Sequence, residues 1–118
     1  MQANEIVDIL RYYLRFEGQQ KNRLRCKNTI ECFDGLILSI QASLTHYCTP
    51  RADVEDGAYT EVEVKSYPSA CLPELSDYRD DIIYAFVPIE EVAELILCHG
   101  GFANRGEVRV VDKETVGQ

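Results

Sequence analysis

The chain has 118 residues, of which 46% are apolar and 27% charged, with 7 Gly and 4 Pro. That is the length of a single domain and the composition of an ordinary globular protein, which excludes a disordered or fibrous chain. The net charge of -8 argues against non-specific binding of duplex DNA or of anionic lipid, because most of such a surface repels a polyanion. No apolar run reaches the roughly 18 residues of a membrane span, and Glu5 and Asp8 stand where a secretory signal has a basic start. The expectation is one compact domain over residues 1–118, soluble and cytoplasmic, with no membrane association.

The first predicted element is a helix over about 4–17. Asn4 serves as its N-cap, Ile6, Val7, Leu10, Tyr13 and Leu14 form its apolar stripe, Arg11 and Arg15 lie at the margin, and Gly18 ends it. From Leu24 the pattern changes to alternation. Leu24, Cys26, Ile30 and Cys32 share one parity, while Arg23, Arg25, Lys27, Thr29 and Glu31 share the other, as in a half-buried strand. A second strand follows, with Leu36, Leu38, Ile40, Ala42 and Leu44 alternating with Ile37, Ser39, Gln41, Ser43 and Thr45.

Register decides the turn between these strands. A two-residue Asp34-Gly35 connection would set Ile30 opposite Ser39 and so mix apolar and polar groups on one face. A three-residue Phe33-Asp34-Gly35 loop, with Gly35 left-handed, sets Ile30 against Leu38, Cys32 against Leu36, Cys26 against Ala42 and Leu24 against Leu44. The same register pairs Arg23 with Thr45, Arg25 with Ser43 and Lys27 with Gln41 on the opposite, exposed face.

Residues 47–57, with Pro50 and Gly57, read as a loop that carries Arg51. A third strand runs from Tyr59 to Tyr67, with Val62 and Val64 inward. Residues 69–81 read as a loop or short helical turn. The run from Ile82 to Val87 is apolar on both parities, the pattern of a strand covered on both faces and central in its sheet. Pro88 then opens a helix whose stripe is Ile89, Val92, Ala93, Ile96 and Leu97, with Glu90 and Glu91 at the positive end of its dipole and Gly100 as its cap. A short strand from Glu107 to Val111 completes an α+β order: an antiparallel or mixed sheet of about five strands with an N-terminal helix and a second helix near the C-terminus.

Charge is distributed unevenly. Residues 1–51 carry seven Lys/Arg against five Asp/Glu, net +2, whereas residues 52–118 carry five against fifteen, net -10. The cations cluster on the predicted hairpin, so the candidate ligand-binding set is Arg23, Arg25, Lys27, Gln41, Ser43, Thr45 and Arg51. These are cations with hydroxyl and amide groups, suited to a phosphate or carboxylate. Arg11 and Arg15 are further cations that could reach the same anion.

No catalytic or metal constellation emerges. The five cysteines form no CxxC pair and read as free, buried thiols. Cys26, Cys32, Cys48 and His46 lack the usual zinc spacings. His46 lies near Ser43, Cys48 and Asp34 in sequence, but adjacency along a strand is not triad geometry, and parity places it with Leu44 as a partly buried histidine. His99 falls at a helix C-terminus, where a cation is favourable. Asp53, Glu55 and Asp56 lack the spacing of a calcium loop and read as solvated charge, as do Asp77, Asp80 and Asp81. No Gly-rich phosphate loop precedes a helix and no cofactor is expected; Tyr84 and Phe86 could stack on a base, but in so apolar a run they read as core.

The segments Ser39 to Arg51, SIQASLTHYCTPR, and Val87 to Gly101, VPIEEVAELILCHGG, resemble small proteins encoded by phages and prophages. The resemblance implies a host-defence antagonist of one of two kinds. One is a nucleotide sponge of the Thoeris anti-defence type, which sequesters a signalling nucleotide without catalysis. The other is an acidic anti-CRISPR-type protein that occludes a nucleic-acid-binding effector through residues 52–94. The basic hairpin favours the sponge. A small nucleotide-processing enzyme is the third alternative. Because enclosing a dinucleotide-sized ligand takes a cavity of about 300 to 1,000 Å³, a homo-oligomer with shared sites is also expected.

Overall fold

The computed structural model describes residues 1–15, 29–67 and 71–103. Five strands form one antiparallel sheet: β1 (Ile30–Glu31), β2 (Ile37–Gln41), β3 (Glu61–Tyr67), β4 (Arg79–Asp80) and β5 (Ile83–Pro88), in the spatial order β1-β2-β3-β5-β4. Helix α1 (Ala3–Tyr13) precedes the sheet, α2 (Ile89–Cys98) follows it, and a 3-10 helix (Pro73–Tyr78) leads into β4. This is the expected α+β class. Leu38 and Ile40 of β2 and Val62 and Val64 of β3 share one buried core with Ile6 and Leu10 of α1 and Val92 and Ile96 of α2. The helices therefore cover that side of the sheet, and Ser39, Glu61, Glu63 and Lys65 point to the other.

The N-cap of α1 lies two residues before the expected one. Gln2 is its N-cap, and the Gln2 backbone N–H donates to the Glu5 carboxylate at 2.6 Å, so Glu5 three residues on satisfies a donor and Asn4 lies inside the first turn. The helix ends at Tyr13 with Leu14 as its C-cap, four residues short of the expected limit. Helix α2 matches its expected start and stop. Glu90 and Glu91 sit in its first turn, and at its end Gly100 N–H donates to Leu97 O at 3.0 Å while Gly101 N–H donates to Ile96 O at 2.9 Å. Gly100 has φ +91, which completes a Schellman cap.

The expected hairpin register holds over its described part. Ile30 pairs with Leu38, Cys32 N–H donates to Leu36 O at 2.7 Å, and Gly35 has φ +99. Arg23, Leu24, Arg25, Cys26 and Lys27, and the expected strand from Glu107 to Val111, lie outside the described residues. The turn also docks on the end of α2, where Asp34 N–H donates to His99 O and Phe33 N–H to Gly101 O, so the hairpin satisfies carbonyls that the helix terminus leaves open.

Strand β5 departs from expectation. It is not central, since β3 holds the middle of the sheet and β5 is followed only by the two-residue β4. Nor are both its faces covered. Tyr84 and Val87 are buried, whereas Phe86 and the preceding Ile82 are exposed. The register between β3 and β5 shifts here: Val62 pairs with Val87 but Val64 pairs with Tyr84, so Ala85 and Phe86 together oppose Glu63. That bulge puts Tyr84 and Val87, three residues apart, on the same side, which is why apolar residues occupy both parities.

Loop 47–57 is irregular, as expected, but tightly held. Tyr59 is fully buried, donates its hydroxyl proton to Ala52 O at 2.6 Å and accepts from Val54 N–H at 2.9 Å. Gly57 has φ +70, and a Cβ there would run into the carbonyl oxygen of Arg11. The loop thus lies against the α1 backbone at a distance only glycine permits.

Candidate functional site

Strand β2 stops at Gln41, and the reason lies in the next few side chains. Ser43 Oγ accepts from Thr45 N–H at 3.0 Å, contacts Thr45 Oγ1 at 3.1 Å and lies 2.7 Å from His46 Nδ1. A serine that closes a turn with its own side chain offers the backbone an alternative to the sheet ladder. The expected exposed face of Gln41, Ser43 and Thr45 is therefore corrected. Gln41 is 4% and Ser43 2% exposed, Gln41 Nε2 donates to Ser39 Oγ at 3.0 Å, and of the three only Thr45 reaches solvent. Leu44, expected inside, is exposed, while His46 is buried.

Beyond the turn, residues 44–51 cross the strand ends on a series of clips. Leu44 N–H donates to Asp53 Oδ1 at 2.9 Å, Tyr47 N–H to Glu63 Oε1 at 3.0 Å, and Thr49 Oγ1 to Glu61 Oε1 at 2.6 Å. Cys48 Sγ interacts with both the N–H and the carbonyl of Ser43, which closes the loop from within. Asp53, read from sequence as solvated charge, is one of these clips.

This framework displays an aromatic pair and a cation. Phe86 N–H donates to Tyr47 O at 3.2 Å, and the two rings lie 5.9 Å apart at 53°. Tyr47 is 41% and Phe86 42% exposed. The Arg51 guanidinium stands 4.9 Å from the Tyr47 ring centroid, a cation–π distance, and has no carboxylate partner among the described residues. Phe86 has φ +54, a left-handed backbone that a bulky residue adopts only at a cost of order 1 kcal/mol or more. An aromatic ring that is both strained and open to solvent gains little for the fold. Of the expected ligand-binding residues, Arg51 belongs to this cluster; Phe86, which reads as core from the sequence, and Tyr47, which the sequence does not single out, join it. Phe86 reads as core in the sequence because a bulge and a doubly covered strand leave the same apolar run.

His46 and Ser43 do come into contact, but as an i, i+3 pair folded into the loop. Burial pushes the His46 imidazole below its ordinary value, with Arg51 adding to the effect and Glu63 and Asp53 opposing it. His46 and Ser43 Oγ thus make a buried polar link within the loop. Cys48 is likewise pushed up by burial.

The second histidine lies elsewhere. His99 Nδ1 meets Asp34 Oδ2 at 2.6 Å and His99 Nε2 meets Glu74 Oε2 at 3.2 Å, tying together the hairpin turn, the end of α2 and the 3-10 helix. The hydrogen bond to Asp34 holds the imidazole above its ordinary value, and the same bond holds the Asp34 carboxyl below its own. Among the cysteines, Cys32 and Cys48 are buried as expected, but Cys71 and Cys98 are exposed. Burial, with Asp34 and Glu31 nearby, pushes the Cys32 thiol up to about 11. Among the described residues, no three His, Cys, Asp or Glu side chains are placed to share a metal ion, and no helix is long and apolar enough to cross a membrane. No family model, curated protein or solved structure matches the chain.

Proposed function

We propose that this chain is a non-catalytic binding protein that sequesters a small anionic, nucleotide-like ligand, in the manner its resemblance to phage-encoded host-defence antagonists implies. The observation that carries this reading is the exposed pair Tyr47 and Phe86 with Arg51 beside it, on a loop clipped to β3 and β5. A base or similar flat ring stacks on the aromatics, and Arg51 takes the phosphate. Stacking on one such ring contributes about 1–3 kcal/mol, and a charge-assisted contact about 1.5–3 kcal/mol. The loop is already fixed by its hydrogen bonds, so little ordering cost opposes binding. Arg23, Arg25 and Lys27 are the further cations proposed for the same anion, and a homo-oligomer would bring a second set.

Mass spectrometry of small molecules released when the purified protein is denatured identifies the ligand. Calorimetry then compares mononucleotides, dinucleotides and cyclic dinucleotides on the wild type, Tyr47→Ala and Arg51→Ala. The expected result is binding weakened by about 1–3 kcal/mol in each variant, and light scattering with and without ligand reads the oligomer. Unchanged binding in both variants would move the site off this cluster. If no nucleotide binds, the second reading, occlusion of a nucleic-acid-binding effector, takes precedence. It is favoured by the net -10 of residues 52–118 and by exposed Asp77, Asp80 and Asp81 around β4.

A further inference from the structure

A groove of about 390 Å³ runs between the two helices, on elements that contribute nothing to the aromatic cluster. Ala3, Val7 and Arg11 of α1 follow one another at intervals of four along it, with Asn4 and Asp8 beside them, and Glu90 and Glu94 of α2 form the facing wall. The volume lies at the lower end of the range for small-ligand sites. Its charges are set apart: the side chains of Asp8, Arg11, Glu90 and Glu94 make no hydrogen bond or ion pair among the described residues. Arg11 Nε is moreover buried without an acceptor. A buried donor left unmade is costly, and the guanidinium that carries it belongs to a side chain lining the groove without an ion pair to the carboxylates there. The backbone that presents it is fixed, because Gly57 packs against the Arg11 carbonyl.

We propose that this groove binds a basic amino acid of the arginine or lysine kind. Three carboxylates against one guanidinium call for a ligand of net positive charge, and the unpaired Arg11 guanidinium calls for one oxygen acceptor on that same ligand. A basic amino acid carries both. Its carboxylate accepts from Arg11, its two cationic ends meet Asp8 on one wall and Glu90 and Glu94 on the other, and its methylenes lie on Ala3 and Val7. The site depends neither on the nucleotide reading nor on its residues.

The test uses the full chain, calorimetry, and backbone amide NMR shifts with L-arginine, agmatine and L-norleucine as probes. Agmatine keeps the cations but lacks the carboxylate, and norleucine lacks the side-chain cation. L-arginine should bind saturably with shifts at Val7, Asp8, Arg11, Glu90 and Glu94, and each of the other two should bind about tenfold or more weakly, the loss expected from one charge-assisted contact. The Glu90→Gln/Glu94→Gln double variant should weaken arginine by at least the same factor. Arg11→Met should erase the difference between arginine and agmatine, with a thermal melt confirming that it folds. Failure of L-arginine to saturate, equal binding of arginine and agmatine by the wild type, indifference to the glutamate changes, or shifts confined to other surfaces would each overturn the proposal.

Discussion

Strand β2 is entered and left in opposite ways. At its start the chain comes through Phe33-Asp34-Gly35, a short exposed turn whose N–H groups finish the end of α2 and whose histidine contact, His99, is partly exposed and sits between two carboxylates. At its end the chain turns on Ser43, whose hydroxyl lies against a buried histidine, His46, and then travels through a loop clipped to β3 and packed against α1. The first end is held by a histidine between carboxylates at the surface, and the second by packing, the buried Ser43–His46 contact and N–H or O–H groups donated to the Asp53, Glu61 and Glu63 carboxylates. Surface charge leaves a side chain free to vary, whereas packing does not.

The glycines at the two ends should separate them most clearly. Gly57 and Gly35 both have positive φ, but a Cβ at Gly57 meets the Arg11 backbone while one at Gly35 meets nothing within 4 Å. Gly57→Ala should therefore cost about 3 kcal/mol or more, from strain and the displaced helix together. Gly35→Val should cost somewhat more than about 1 kcal/mol from strain alone, and Gly35→Asn less. Denaturant midpoints at constant slope measure all three, and equal losses at the two positions would break the contrast.

The smaller effect is on pH dependence, where the two histidines should act in opposite directions. The His99 value is raised in the folded chain, so its contribution is fully present below the ordinary value near 6.5 and is lost as pH rises through the raised one. That of His46 is lowered, so its contribution is present above 6.5 and is lost as pH falls toward the lowered value. Asp34, also lowered, acts only at the acid end, where stability falls as pH drops below its ordinary value of 3.8. Between pH 5.5 and 7.5 the two contributions oppose each other in the wild type. His99→Gln should become more stable with rising pH, and His46→Gln less. Parallel profiles for the two variants would refute the assignment, and NMR titration of the ring protons places each histidine on its own side of 6.5.

The same contrast explains what was legible in the sequence. The turn into β2 could be derived because register is a long-range constraint that short-range pattern encodes: one slip would put Ile30 opposite Ser39, so only the three-residue loop survives. Helix α2 was legible for a similar reason, its stripe, acidic first turn and Gly100 all agreeing. The exit from β2 was not. Residues 36–45 alternate as a strand does to their end, and nothing in that alternation reveals that the Ser43 hydroxyl will claim Thr45 N–H and fold the chain away. Phe86 failed differently, since a bulge shifts the period by one residue and makes an amphipathic strand look apolar throughout. Arg51 was identified as a cation in a loop, but its neighbours Tyr47 and Phe86 meet only through tertiary contact across almost forty positions.

The bulge in β5 has a consequence for insertions and deletions. Between Val62 and Val64 the partner strand has one residue more than an even ladder needs, so the sheet is accommodating a surplus. Deleting Ala85 leaves Tyr84 and Val87 two positions apart, still on the buried side, with Phe86 between them on the open side and no need for a left-handed backbone. The shortened strand pairs evenly and keeps its core contacts, but it releases the backbone bond that brings Phe86 up to Tyr47. A single lost codon is thus expected to spare the sheet and break up the aromatic cluster, so that the extra residue serves the surface it shapes more than the ladder it interrupts.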